Sequence, residues 1–314
     1  MTWLSTSTLH TQCLYWQPVS RRVVSGLVVV ALAVGFVHPT VNSPFVEPVP
    51  AVGLGMVSLT YIPKALSIAN EEHDRVVAER DSFAALGRHL SDIEPHSHHS
   101  TGPPAQSLGP HLNSDNRSPG SQLRKVRRAY RETIMAVAHY DDEYGQALAT
   151  DLREEFTDEI AIAVTTGERF TPQLKTALQQ HVTNSQRERT RLLQDVDDER
   201  TGLEQAKQTM KPIRDALQEL DDILLFQQSF PTLQDQYERF CEYEEQCTAV
   251  IEQRQQQHHE TPRQWSNGDV GDLQWYLYDD LPVQYPVLAD GIALIEQIQA
   301  AQQAIAATLG KMSG

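Results

Sequence analysis

Cysteine is almost missing from this chain, with three in 314 residues at Cys13, Cys241 and Cys247. Three thiols cannot build a disulfide framework, and the six-residue step from Cys241 to Cys247 puts these two on different faces of a helix, so both read as small packed side chains. Lysine is nearly as scarce, occurring only at Lys64, Lys125, Lys175, Lys207, Lys211 and Lys311. Lysine and arginine total 26 against 42 acids, a formal net charge of −16. A field of that sign repels a phosphate backbone, so nucleic acid is not an expected partner. Aromatic residues make up 7% of a chain that is 40% hydrophobic. That balance suits helices packed on aliphatic seams better than a large globular core. The acid-rich, lysine-poor composition suits work in concentrated salt. No catalytic or ligand-binding motif of comparable specificity is present, which leaves chemistry without a local signature and architecture with a strong one.

What the chain has in quantity is heptad periodicity. Alternating steps of four and three give Leu178, Val182, Ser185, Arg189, Leu192, Val196, Glu199, Leu203, Ala206, Met210, Ile213, Leu217, Leu220 and Leu224. Eleven of these fourteen are apolar, a seam that must be buried against other helices. Thr171-Pro172 opens it with a hydroxyl cap and a proline at the first turn, where the missing N–H does no harm. The spacing predicts one helix from Pro172 to Leu225, about 80 Å long at 1.5 Å per residue. Pro212 removes the hydrogen bond to the Gln208 carbonyl and predicts a bend near 208–212. Ser185, Arg189 and Glu199 are polar notches in the seam, the first places to look for a partner side chain.

Shorter helices surround it in the sequence. Leu66, Ala69, Val76, Phe83 and Leu90 share a heptad frame from Pro63 to Ile93, and Val126, Tyr130, Ile134 and Val137 mark one face from Ser121 onward. Gln146–Phe156 and Asp158–Thr166 read as two short helices or one bent one, with Thr157 as cap and Gly167 as stop. Leu233, Tyr237, Phe240, Cys247 and Ile251 keep the 4-3 spacing, with Glu244 as the exception. The last helix, from Pro286 to about Leu309, carries Val287, Leu294, Ile298, Ala301 and Ile305 on one phase and Leu288, Ile292 and Ile295 on the next, a broad face expected of a bundle member. The predicted fold class is therefore all-α: an elongated helical bundle or coiled coil with one long central helix, preceded by a hydrophobic N-terminal segment. Return helices over about 231–258 and 286–309 are long enough to cover most of the central helix within one chain.

The domains divide as 1–55, a hydrophobic N-terminal segment; 56–93, an N-terminal helix; 94–120, a linker; and 121–310, the helical bundle. Residues 1–55 contain only Arg21, Arg22 and Glu47 as charged side chains. Val23 to Val37 is a fifteen-residue apolar and small run, extensible to Val41. It is marginal as a span, and the expectation is a membrane anchor through 23–41 if Met1 is the true start. Met56 stands where the charged, heptad-patterned sequence begins, and a chain starting there would be cytoplasmic. Proline, glycine, serine and histidine dominate 94–120, which cannot bury enough apolar surface to offset its ordering entropy and reads as disordered. His96, His98 and His99 there lack a fixed scaffold, so no metal is expected. Thr261–Gly268 reads as a second linker.

Titratable groups gather in two places. His139, Tyr140, Asp141, Asp142, Glu143 and Tyr144 follow the basic run Arg124, Lys125, Arg127, Arg128 and Arg131, which is expected to lie along an acidic helix of the same chain. Tyr276, Tyr278, Asp279, Asp280 and Tyr285 form the densest aromatic block. Where the two meet, His139, Tyr140, Asp141, Glu143, Tyr144, Tyr278, Asp279, Asp280 and Tyr285 would line a pocket for a small molecule, with the carboxylates and His139 as acid–base or metal groups. The leading expectation is instead a structural or interaction protein with no cofactor and no catalysis, which binds a protein partner or a second copy of itself through its helices.

Four segments resemble a family. YIPKAL…VVAERDSFAALGRHL from Tyr61, VRRAYRETIMAVAHYDDEYGQAL from Val126, TGERFTPQLKTAL from Thr166 and LYDDLPVQYPVLAD from Leu277 are similar to an uncharacterised domain-of-unknown-function family of halophilic archaea. The resemblance covers roughly residues 57–310 and leaves out the hydrophobic N-terminus. It implies a mostly helical fold and a saline setting, and brings no activity, substrate or catalytic residue.

Overall fold

The computed structural model describes residues 59–96, 120–221, 223–260 and 273–313. The apolar run 23–41, Met56, most of the histidine-containing linker and the segment 261–272 lie outside the described residues. Among the described residues the structure is all-α, with no strand, and no helix is long and apolar enough to cross a membrane. The helices are α1 (Tyr61–Asp92), α2 (Ser121–Thr133), α3 (Tyr140–Glu143), α4 (Leu148–Glu155), α5 (Asp158–Thr165), α6 (Pro172–Asp221), α7 (Phe230–Glu260), α8 (Leu273–Tyr278) and α9 (Pro286–Met312), with 3₁₀ turns at Ile134–Ala136 and Leu225–Gln227. They fall into two compact units. Residues 65–96, 120–202 and 273–284 belong to the first, and residues 59–64, 203–221, 223–260 and 285–313 to the second.

In the first unit the core is built from one face of each helix. Phe83, Leu86 and Leu90 of α1 meet Leu123, Val126 and Tyr130 of α2, Leu152 of α4, Ile160 and Val164 of α5, Phe170, and Leu178 and Val182 of α6. Local chemistry sets the boundaries. Thr157 accepts a hydrogen bond from the Ile160 N–H at 3.2 Å and caps α5, and Thr171 does the same for Leu174 at 3.2 Å at the start of α6. Gly167 stops α5 by close approach: a Cβ there would sit 2.2 Å from the Ala163 carbonyl oxygen. Lys175 reaches back from α6 and donates to the Ser91 and Ile93 carbonyls at 2.8 and 3.0 Å, satisfying the C-terminal end of α1.

In the second unit α7 and α9 pack along one another. Val287, Leu294, Ile298, Ala301 and Ile305 of α9 are all buried, as their spacing predicts. On the adjacent phase Leu288 and Ile295 are half-buried and Ile292 is 53% exposed, so the fully buried part of the α9 face is narrower than the whole apolar face. Gly291 is where the helices come closest, since a Cβ there would lie 2.9 Å from Ile251 Cδ1 and 3.0 Å from Met210 Cε. The start of α1 belongs to this unit and is capped from α9. Asp290 is 4% exposed, and its carboxylate accepts from the backbone N–H groups of Thr60 (3.1 Å), Tyr61 (3.0 Å) and Ile62 (2.8 Å).

The seam of α6 is buried at twelve of its fourteen positions. Leu192 is only half-buried while its neighbour Leu193 takes the core position, and Leu224 lies beyond the helix and is exposed. The helix ends at Asp221 rather than Leu225. Pro212 lies inside it. A helix-interior proline costs about 3 kcal/mol, but Met210 and Ile213 on either side are fully buried, and each contributes about 1.5–3 kcal/mol of burial. Packing therefore outweighs the lost hydrogen bond, and the helix runs on.

Candidate functional site

The main polar cluster lies within the first unit. On α1, Glu72, Arg75, Glu79 and Phe83 recur at three- and four-residue steps and share one helix face. The short α3 follows His139 directly and places His139 and Glu143 four residues apart. The end of α4 brings Glu155, α6 brings Arg189, and α8 brings Tyr276.

Arg189 is the hub. It is 7% exposed, so its guanidinium must find partners within the protein. Its Nε donates to Glu79 Oε2 at 3.1 Å, and Nη1 and Nη2 donate to the two oxygens of Glu155 at 3.2 and 3.1 Å, a bidentate fork. The guanidinium carbon sits 4.7 Å from the centre of the Phe83 ring. The other oxygen of Glu79, Oε1, receives His139 Nε2 at 3.2 Å and the Tyr144 hydroxyl at 3.0 Å. Burial pushes the Glu79 carboxyl up, but the hydrogen bond from His139 and the charge of Arg189 outweigh it and hold the group below the ordinary carboxylate range. The same hydrogen bond holds the His139 imidazole above its ordinary value. Burial beside Glu79 pushes the Tyr144 hydroxyl far up.

The cluster extends along α1. Arg75 Nη1 lies 3.0 Å from Glu143 and 4.0 Å from Glu72. Glu72 accepts a hydrogen bond from the Tyr276 hydroxyl, and its carboxyl is raised, chiefly by burial. A second node is Glu199 on α6, 4% exposed, which accepts from Gln274 Nε2 at 3.0 Å and the Tyr278 hydroxyl at 2.8 Å. A third is Asp151 on α4. Burial raises its carboxyl against the electrostatic pull of the Tyr130 and Tyr140 hydroxyls.

A family model for a domain of unknown function, DUF7260, matches residues 60–302. The chain belongs to this family. No curated protein and no solved structure matches it. The DUF7260 match takes in every side chain of the three nodes, from Glu72 to Tyr278.

The residues singled out in the sequence scatter over this arrangement. His139, Glu143 and Tyr144 enter the cluster around Glu79, and Tyr276 reaches Glu72 in the same unit. Tyr140 is buried with its ring 5.6 Å from that of Tyr144. Asp141 is exposed. Tyr278 turns instead to Glu199, while Asp279 and Asp280 are exposed, and Tyr285 belongs to the second unit at the start of α9. In the basic run on α2, two arginines make contacts within the chain. Arg127 donates to the Val164 and Thr165 carbonyls at 2.8 and 3.2 Å, at the end of α5, and Arg128 pairs with Glu132 on its own helix. Glu72, Glu79, Glu155 and Asp151 carry no sequence signal, being acids in an acid-rich chain. Arg189 and Glu199 do, because each interrupts an apolar seam.

Glu79 accepts from three donors, which leaves it a weak base. Arg189 is shared by two carboxylates from different helices, and this fixes the spacing of α1, α4 and α6 within the unit.

Proposed function

We propose that this DUF7260 chain is a structural and interaction protein, a helical bundle organised on the long α6, which self-associates through the turn between α6 and α7. The observation that carries this is a run of twelve uncharged residues, 223–234, between Asp222 and Asp235. Within it Leu224 is 51%, Phe226 73% and Phe230 42% exposed. A chain of net charge −16 repels its own copies over an acidic surface. An uncharged apolar turn is where two copies can meet without that repulsion, and exposed apolar side chains of this size gain by leaving water. The buried Arg189 of the first unit is paired within the chain by Glu79 and Glu155, which supports an architectural use of it.

Two finer features belong to the same reading. The acid-rich, lysine-poor surface suits a protein working in concentrated salt, and the apolar run 23–41 would tether the helical body to a membrane. Light scattering at micromolar concentration in molar salt tests the central claim. The wild-type chain is expected to run as a dimer and the Leu224→Ser/Phe226→Ser variant as a monomer of unchanged helicity. A monomeric wild type sinks self-association, and points to a different protein as the partner.

A further inference from the structure

We propose that Glu79, His139 and Glu143 form a binding site for one divalent transition-metal cation of the zinc or cobalt(II) class. Each offers one ligand atom, and the three atoms lie within 4.8 Å of one another. They come from α1 and from the α3 turn of the same unit, where the Glu143 N–H donates to the His139 carbonyl at 3.0 Å and holds the two residues in one turn.

Three further observations favour a cation there. The first is distance. Two ligands on one tetrahedral ion, each about 2.0–2.1 Å from it, stand about 3.3 Å apart, and His139 Nε2 already lies 3.2 Å from Glu79 Oε1. One edge of the coordination shell is therefore in place. The second is support. Arg189 Nε holds Glu79 by Oε2, and Arg75 Nη1 holds Glu143 by Oε1. Each carboxylate is thus oriented through one oxygen, the arrangement in which outer hydrogen bonds fix metal ligands; at Glu79 the ion would replace the His139 contact on Oε1 and share that oxygen with the Tyr144 hydroxyl, which donates to it at 3.0 Å. The third is charge. Among the described residues, Arg75 and Arg189 are the two arginines paired with Glu72, Glu79, Glu143 and Glu155, and His139 adds a third contact, to Glu79. That leaves two negative charges in excess when His139 is neutral, and a divalent ion cancels them.

One imidazole nitrogen with two carboxylate oxygens suits zinc, cobalt(II) or manganese(II) better than copper(I), which prefers sulfur, or calcium, which takes more oxygens. Glu143 has a side chain 33% exposed, so it can swing the remaining distance without disturbing the core, and water completes the shell. The ion takes the place of the proton between Nε2 and Oε1. Affinity therefore increases as pH rises through the titration of His139.

The test is cobalt(II) titration of the untagged full chain, read by visible d–d absorption and by equilibrium dialysis. His139→Ala, Glu143→Gln and a His96→Ala/His98→Ala/His99→Ala variant are compared with the wild type. Wild type and the triple variant are expected to bind one cobalt ion with the same spectrum, and His139→Ala and Glu143→Gln to lose more than about tenfold in affinity. Glu143 is half-exposed, so Glu143→Gln stays folded and informative even if His139→Ala does not. Equal affinity in Glu143→Gln and wild type, loss of binding in the triple variant, or no binding by the wild type overturns the proposal.

Discussion

At the scale of single residues the first unit depends on a charge placed where an apolar side chain would ordinarily go. Arg189 interrupts the seam of α6, and its burial is tolerable only because Glu79 and Glu155 arrive from two other helices. Removing one partner from such a set strands the others, which typically costs about 3–5 kcal/mol. Arg189→Ala is expected to lose stability on that scale in urea denaturation at pH 7; a loss under about 1 kcal/mol would show the pairing to be incidental. The link to His139 makes the same cluster sensitive to pH. His139 is raised in the folded state, so its contribution is full below the unfolded value of about 6.5 and is lost as pH rises through the folded value. Glu79 is lowered, so its contribution is full above about 4.5 and is lost as pH falls through its folded value. Both are fully present between about pH 4.5 and 6.5. The melting temperature should rise on going from pH 8 to pH 6, and His139→Ala should flatten that rise. A slope that is the same with and without the imidazole would remove His139 from the account.

At the scale of helices, what the sequence discloses depends on how far the partner lies along the chain. Thr157 and Thr171 are readable as caps because each hydroxyl oxygen sits three residues from the amide it accepts. The seam of α6 is readable because periodicity is a local property, and the slip from Leu192 to Leu193 shows its tolerance: both are leucines, and either can fill the same layer. Asp290 is not readable. It caps α1 from 228 to 230 residues away, and in the sequence it is one acid among 42. The site divides in the same way. The His139–Glu143 pair follows from a four-residue spacing, whereas Glu79 and Glu155 are chosen by the packing of helices that no local pattern describes. Asp290→Ala should therefore cost more than an ordinary surface acid, about 1–3 kcal/mol, because it leaves N–H groups at the start of α1 without an acceptor. Hydrogen exchange should show the loss first in the amides of Tyr61 and Ile62, and unchanged protection of those amides would mean that the cap contributes little.

At the scale of the whole molecule the decisive quantity is a net charge of −16. Salt acts on this in two opposed ways. It screens repulsion among exposed acids beyond a Debye length of about 10 Å at 0.1 M, and it weakens attraction within exposed ion pairs such as Arg128–Glu132. Exposed pairs are worth about 0–1 kcal/mol each, whereas uncompensated repulsion acts on the whole acidic excess. The pairs with most to lose, those of Arg189, are buried at 8% side-chain exposure and are screened least. Repulsion is thus the larger effect that salt removes, and the expected outcome is a melting temperature that climbs as sodium chloride is raised from 0.01 M to 1 M, where the Debye length falls from about 30 to 3 Å. Potassium chloride should give the same climb, because screening depends on ionic strength rather than on the cation. A melting temperature that falls over this range would show that exposed ion pairs, not like-charge repulsion, dominate the electrostatics of the fold.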